Sequence, residues 1–182
     1  NNLEVPSHAA AANIIGLGLR ECINALFPGV GQTDADRFAA SYSAHFRRQD
    51  QNPCAFFPGV LKTLKDLHAS GYILAVATGK SRAGLDRVIA ATGLVGFFDG
   101  SRCADETLSK PHPLMLEELL RQFDVKANDA IMVGDTEFDL AMAEAAKIPA
   151  IGVSYGAHEL DRLLKYKPIA CLDAFSDIKL YI

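Results

Sequence analysis

Three short stretches carry side chains suited to handling a phosphate. Thr78-Gly79-Lys80-Ser81 follows the apolar run Tyr72-Ile73-Leu74-Ala75-Val76-Ala77. A hydroxyl, a glycine backbone and a helix start meet there, and the free N–H groups of a helix N-terminus attract anions. The same residues also read as a plain strand-to-helix turn capped by Ser81. A phosphate-binding P-loop is excluded, because it needs a glycine where Leu74 stands. Gly134-Asp135-Thr136-Glu137-Phe138-Asp139 follows a second apolar run, Ala130-Ile131-Met132-Val133. Two carboxylates four residues apart at a turn into a helix can face one side. Such oxygen ligands suit Mg²⁺, which keeps several waters and takes one or two carboxylates. The plainer alternative has Asp135 capping the helix and Asp139 in solvent. Between these stretches lies Ser109-Lys110-Pro111-His112-Pro113. The prolines stiffen the backbone and start a helix. A cation gains nothing from the positive end of a helix, so Lys110 makes sense facing a carboxylate or phosphate; a solvated lysine is the alternative. His112 reads as a loop residue rather than a base.

The elements that must position these groups fall into two parts. Residues 1–57 read as helical, with no strand signal. Ser7 caps a helix with apolar positions at Ile14, Ile15, Leu17, Leu19, Ile23 and Leu26. Pro28-Gly29-Val30-Gly31 breaks it. Thr33 caps a second helix, with Asp34 and Asp36 in its first turn and an apolar face of Phe38, Tyr42, His45 and Phe46. A polar link, Arg47 to Pro53, ends it. Residues 58–182 alternate strand and helix. Strands are expected at Tyr72–Ala77, Gly100–Cys103, Ala130–Val133, Ala150–Val153 and Ile169–Leu172. Helices are expected from Pro58 to Gly71, Ser81 to Ala91, Pro113 to Phe123 and Glu137 to Ala146. This rhythm means βαβ units and a parallel sheet, with short all-apolar strands buried on both faces. Chemistry in such sheets sits at the carboxyl ends of the strands, where the Thr78 and Asp135 stretches fall, while the Lys110 stretch lies just before a helix.

The chain has 182 residues, 49% apolar and 22% charged, ordinary values for a globular protein. Its net charge of −4 argues against a general nucleic-acid-binding face. No apolar run approaches the ~20 residues of a membrane span. Cys22, Cys54, Cys103 and Cys171 form no CxxC pair and suit a reduced, cytoplasmic protein. The opening Asn1-Asn2-Leu3-Glu4 has neither Met nor a leader pattern, and reads as a chain cut into.

Taken in order, Thr78-Gly79, Lys110-Pro111 and Gly134-Asp135 with Asp139 resemble three of the four motifs of the haloacid dehalogenase superfamily. Phe57-Pro58-Gly59-Val60, Gly152-Val153-Ser154-Tyr155-Gly156 and the leading helical segment make the chain similar to that superfamily's phosphoglycolate phosphatase-like branch. The resemblance implies an α/β class, a Rossmann-like core of parallel sheet with helices on both faces (residues 58–182), plus an all-α cap (residues 1–57). It implies that Thr78 and the Gly79 N–H hold the phosphoryl group and that Lys110 neutralises charge. It implies that Asp135 binds Mg²⁺, that Asp139 supports the metal, and that Arg20, after Gly16-Leu17-Gly18-Leu19, reads the far end of the substrate. Lys80 and Arg82 add local positive charge. The activity implied is Mg²⁺-dependent hydrolysis of a small phosphorylated metabolite by a monomer or homodimer. A phosphomutase, a dehalogenase and a non-catalytic phosphate-binding protein are the alternatives.

The superfamily's first motif, an apolar strand ending in the nucleophile's Asp-x-Asp, is not found here. Asp34-Ala35-Asp36 follows Gly-Gln-Thr and reads as a helix start. The resemblance therefore places the nucleophile upstream of residue 1, on roughly 20–35 further residues forming a strand, a loop and a helix. It implies a sheet with a gap and little turnover by the 182 residues alone.

Overall fold

The computed structural model describes residues 4–49 and 55–182. Asn1 to Leu3, the end of the polar link and Cys54 lie outside the described residues. The leading part is helical: α1 (His8–Ala12), α2 (Leu19–Leu26) and α3 (Gln32–Gln49). Ser7 caps α1, its Oγ accepting from the Ala10 N–H at 3.1 Å. The single first helix expected to run from the Ser7 cap through Leu26 is instead split: α1 ends at Ala12 with Asn13 as its cap, Gly16 sits at φ +109° in the link, and Gly18 leads into α2. Helix α3 starts at Gln32, so Thr33 lies inside it rather than capping it. Phe38 packs on Phe27, with ring centroids 6.2 Å apart. Tyr42 and Phe46 stack on each other at 6.0 Å and stay exposed.

From Val60 strands and helices alternate: α4 (Val60–Ala69), β1 (Ala75–Thr78), α5 (Arg82–Thr92), β2 (Gly100–Cys103), α6 (Leu114–Phe123), β3 (Met132–Gly134), α7 (Glu137–Ala145), β4 (Ala150–Val153), α8 (Leu160–Leu164) and β5 (Ala170–Leu172). Short 3₁₀ turns cover Ala127–Asp129 and Phe175–Leu180. Every strand pair is parallel, and the class is α/β. The strands form two sheets, β1-β2 and β3-β4-β5, with no hydrogen-bonded pairing between β1 and β3.

Two apolar clusters cover the faces. One joins Met115 and Leu116 of α6 to Met142 and Ala143 of α7, with Met132 packed on it. The other joins Leu67 of α4 to Ile151, Leu172 and Ile178, with Ile131 and Val133 packed on it. Met132 facing one cluster and its two neighbours the other is the period-two alternation of a strand. The expected double-sided burial holds for β4, whose Ile151 is fully buried, but not for β1. Its first residue is exposed and the rest are half-buried, with Tyr72 and Ile73 exposed just before it. The reason is a missing neighbour, since β4 has a strand on each side and β1 has one on a single side.

Candidate active site

The carboxyl ends of β1 and β3 meet the loop between α1 and α2. A Cβ built on Gly79 would lie 2.5 Å from the Leu17 carbonyl oxygen and 2.8 Å from that of Gly16. Only glycine allows the loop to approach so closely. A Cβ on Gly16 would in turn lie 2.7 Å from Thr136 Oγ1. The Gly18 N–H donates to Ser109 Oγ at 2.8 Å. One backbone segment of the helical part thus touches all three stretches singled out from sequence.

Thr78 closes β1, and its Oγ1 accepts from the Lys80 N–H at 3.2 Å. Ser81 then caps α5, accepting from the Gly84 N–H. This turn presents a hydroxyl and a helix start at the strand end, as expected. Lys110 is 7% exposed, and its Nζ donates to Asp139 Oδ1 at 2.5 Å. Asp139 is 3% exposed, and its Oδ2 accepts from the N–H and the hydroxyl of Thr136 at 3.1 and 2.8 Å. Thr136 and Asp139 form a reciprocal capping box that starts α7. Thr136 therefore takes the capping role open to Asp135 in the plainer reading, and Asp139 is neither solvated nor turned to an open face. Both its oxygens are engaged in fixing Lys110 and the start of α7. A buried lysine needs such a partner, because an unpaired charge there is costly.

Asp135 follows β3 and is half-buried. Its Oδ2 accepts from the Ala157 N–H at 2.9 Å. A Cβ on Gly156 would sit 2.0 Å from Asp135 Cβ, so only glycine lets the loop after β4 close on this carboxylate. His158 in that loop holds the next turn, its backbone N–H donating to the Asp135 carbonyl and its Nδ1 accepting from the Glu137 N–H at 3.1 Å. Burial above all lowers the His158 pKa, consistent with a neutral ring. Arg162 bonds Glu137 and also Asn13 of the helical part, and holds the Glu137 carboxyl below its usual range.

A hard divalent cation fits Asp135, a strand-end carboxylate with its second oxygen outside any hydrogen bond seen here, and such an ion takes few carboxylates and keeps water. Asp139 Oδ1 accepts one hydrogen bond, from Lys110, and its Oδ2 accepts two, from Thr136. Among the described residues no three His, Cys, Asp or Glu side chains gather as a ligand set. Arg20 is ion-paired through Nη2 with Asp36 across α2 and α3 and stays about half exposed. Ser109, Thr136, Gly16, Gly156 and His158 were not singled out from sequence as site residues. Only Ser109, beside Lys110, and Thr136, between a glycine-aspartate pair and a second aspartate, carried a local signal.

The class these elements define is a parallel α/β protein with a hydroxyl and an aspartate at strand ends and a buried lysine between them. The family whose description is haloacid dehalogenase-like hydrolase matches residues 1–153, and the chain belongs to it. A Dickeya dadantii protein named "Probable phosphatase IndB" is 41% identical over 140 residues, covering 75% of this chain and 61% of that protein. A phosphoglycolate phosphatase from Rhodospirillum rubrum is 31% identical over 182 residues, covering 93% and 74%. The solved structure of a haloacid dehalogenase-like hydrolase from Bacteroides fragilis superposes with a TM-score of 0.86 at 19% identity, over 95% of this chain and 83% of that one, and shows the fold alone. The chain spans about three fifths of the length of the first curated relatives it matches.

Proposed function

We propose that this chain is the greater part of a Mg²⁺-dependent phosphatase acting on a small phosphorylated metabolite such as phosphoglycolate. The observation that carries the reading is the buried Lys110–Asp139 pair, whose flanking residues Ser109 and Thr136 meet the same Gly16–Gly18 loop that touches Gly79. Phosphoryl transfer asks for positioning and charge neutralisation more than for covalent skill. Lys110 supplies a cation locked in place by Asp139. Thr78 Oγ1 and the Gly79 N–H offer hydrogen bonds to phosphoryl oxygens. Asp135 would hold Mg²⁺, which when bound neutralises phosphate charge. Asp139 acts through Lys110 as a positioning residue. The loop Gly16–Gly18 shields the strand ends from water. The names of the curated relatives support phosphate monoester chemistry.

No described carboxylate is placed to attack phosphorus, since Asp139 is engaged and Asp135 is the metal candidate. The nucleophilic aspartate of this reading belongs to residues outside these 182, and the 182 residues alone turn over little. The test is phosphate release from a panel of small phosphate monoesters by the longer polypeptide, with and without Mg²⁺. Release that falls about 100-fold or more in Asp135→Ala supports the reading. No release from any monoester, or release indifferent to Mg²⁺ and to Asp135→Ala, rejects it.

A further inference from the structure

Helix α7 begins at the turn that carries Asp135, and one residue from the loop after β4 grips that turn on both sides. The His158 backbone N–H donates to the Asp135 carbonyl at 3.1 Å, and its ring Nδ1 accepts from the Glu137 N–H at 3.1 Å. The Glu137 N–H belongs to the first turn of α7, where backbone donors have no partner within the helix. The capping box of Thr136 and Asp139 satisfies the N–H groups of those two residues and leaves that of Glu137 to the ring. An Nδ1 that accepts carries no proton, so the ring is neutral with its hydrogen on Nε2. His158 is 3% exposed, and its Nε2 has no hydrogen-bond partner among the described residues. A buried N–H without a partner is costly, and an apolar side chain would fill the same volume without that penalty. Packing, including the edge-on contact with Phe138 at 5.5 Å between ring centroids, therefore does not call for an imidazole. What the imidazole adds is an acceptor placed at Glu137.

The neighbours of His158 act on Asp135 itself. The Ala157 N–H donates to Asp135 Oδ2 at 2.9 Å, and Gly156 lets the loop close on that carboxylate. Both contacts exist only while the loop lies against the turn, and the ring fastens it there. We infer that His158 is a positioning residue for the metal site: its Nδ1 ties the loop after β4 to the start of α7, which holds one oxygen of Asp135 on the Ala157 N–H and leaves the other for a divalent cation. Groups that orient a ligating carboxylate set metal affinity without touching the metal. The inference rests on the phosphatase reading, which makes Asp135 the Mg²⁺ ligand, and its test reads metal binding apart from turnover.

Three variants of the longer polypeptide separate the ring's acceptor from its bulk. His158→Leu keeps apolar volume without an acceptor. His158→Asn puts an amide oxygen where Nδ1 stands, and His158→Gln puts its amide where Nε2 stands. Binding is measured with Mn²⁺ alone, from the loss of the free ion's paramagnetic resonance signal, and Asp135→Ala marks which binding belongs to this site. The Kd for Mn²⁺ should rise about tenfold or more in His158→Leu and His158→Gln and stay within about threefold of wild type in His158→Asn. The Mg²⁺ concentration giving half-maximal phosphate release should follow the same order, while KM for the monoester at saturating Mg²⁺ holds within about threefold. A packing role would lower the urea midpoint without producing that order. If His158→Leu does not fold, the comparison of Asn with Gln decides. The inference is overturned by wild-type affinity for Mn²⁺ in His158→Leu or His158→Gln, by Asn doing no better than Gln, by KM rising in step with Kd, or by no Mn²⁺ binding in the wild type. The expected order of Mn²⁺ affinities in a polypeptide that releases no phosphate supports the inference and rejects the phosphatase reading alone.

Discussion

Strands β1 and β4 have similar sequences and opposite surroundings. Ala75-Val76-Ala77-Thr78 and Ala150-Ile151-Gly152-Val153 are both short and mostly apolar, each following a helix. Strand β4 is paired on both edges, and three of its four residues are buried. Strand β1 is paired on one edge, and none of its residues is buried. Burial is thus set by neighbours in space rather than by local composition. The site draws on both sheets, because Thr78 and Gly79 follow β1 while Asp135 and Asp139 follow β3, each strand paired on one edge. Lys110 reaches across from the first to the second.

That crossing pair offers the largest test of the comparison. Asp139→Ala leaves Lys110 buried without its partner and removes half of the α7 capping box. The expected cost is about 3–5 kcal/mol, read as a lower urea midpoint; a cost under ~1 kcal/mol would mean that the pair does not tie the two sides together. Next comes the contrast between the strands themselves. Ile151→Ala should cost about 2–5 kcal/mol, while Val76→Ala, at a half-buried position beside a cavity, should cost under ~1 kcal/mol. Equal costs would erase the distinction. Gly79→Ala forces a methyl against the Leu17 carbonyl and should cost about 1–3 kcal/mol. Exchange at the Gly18 amide, which Ser109 accepts, should quicken with it.

The smallest effect is electrostatic. The Arg82 guanidinium, bonded through both nitrogens to Glu106, holds that carboxyl down at about 2, below its usual 4.5. A depressed carboxyl stabilises the fold above its unfolded value, and that contribution fades as pH falls from about 4.5 toward 2. Both groups are about a third exposed, so the loss should stay under ~1 kcal/mol. A Glu106→Gln variant should show a correspondingly flatter fall in thermal midpoint over that range.

Much of the architecture could be read from the sequence because its signals are local. The apolar runs located β1, β3 and β4, Ser7 and Ser81 capped the helices expected of them, and the turns put Thr78 and Asp135 at strand ends and Lys110 just before a helix. The boundaries moved where geometry intervened. The first helix stops at Ala12, and the link that follows uses the positive φ of Gly16 to pass close to Thr136 and Gly79. Tyr72 to Leu74 fell outside β1, whose ladder starts opposite Gly100. The role of Asp139 was not legible, since nothing in a four-residue spacing says that a lysine 29 positions earlier will take one of its oxygens. The Gly156 approach to Asp135 was equally hidden, because it depends on how the β4 loop folds back.

The central claim is the proposed Mg²⁺-dependent phosphatase reading, with Lys110, held by Asp139, as the cation that meets the phosphate. The most direct measurement compares phosphate release from phosphoglycolate and related monoesters, with Mg²⁺ present, by the longer polypeptide, by its Lys110→Ala variant and by the 182 residues alone. The account predicts turnover by the first, a loss of about 100-fold or more in the second and little release by the third. Equal turnover by all three, or none by the longer polypeptide on any monoester, would contradict it.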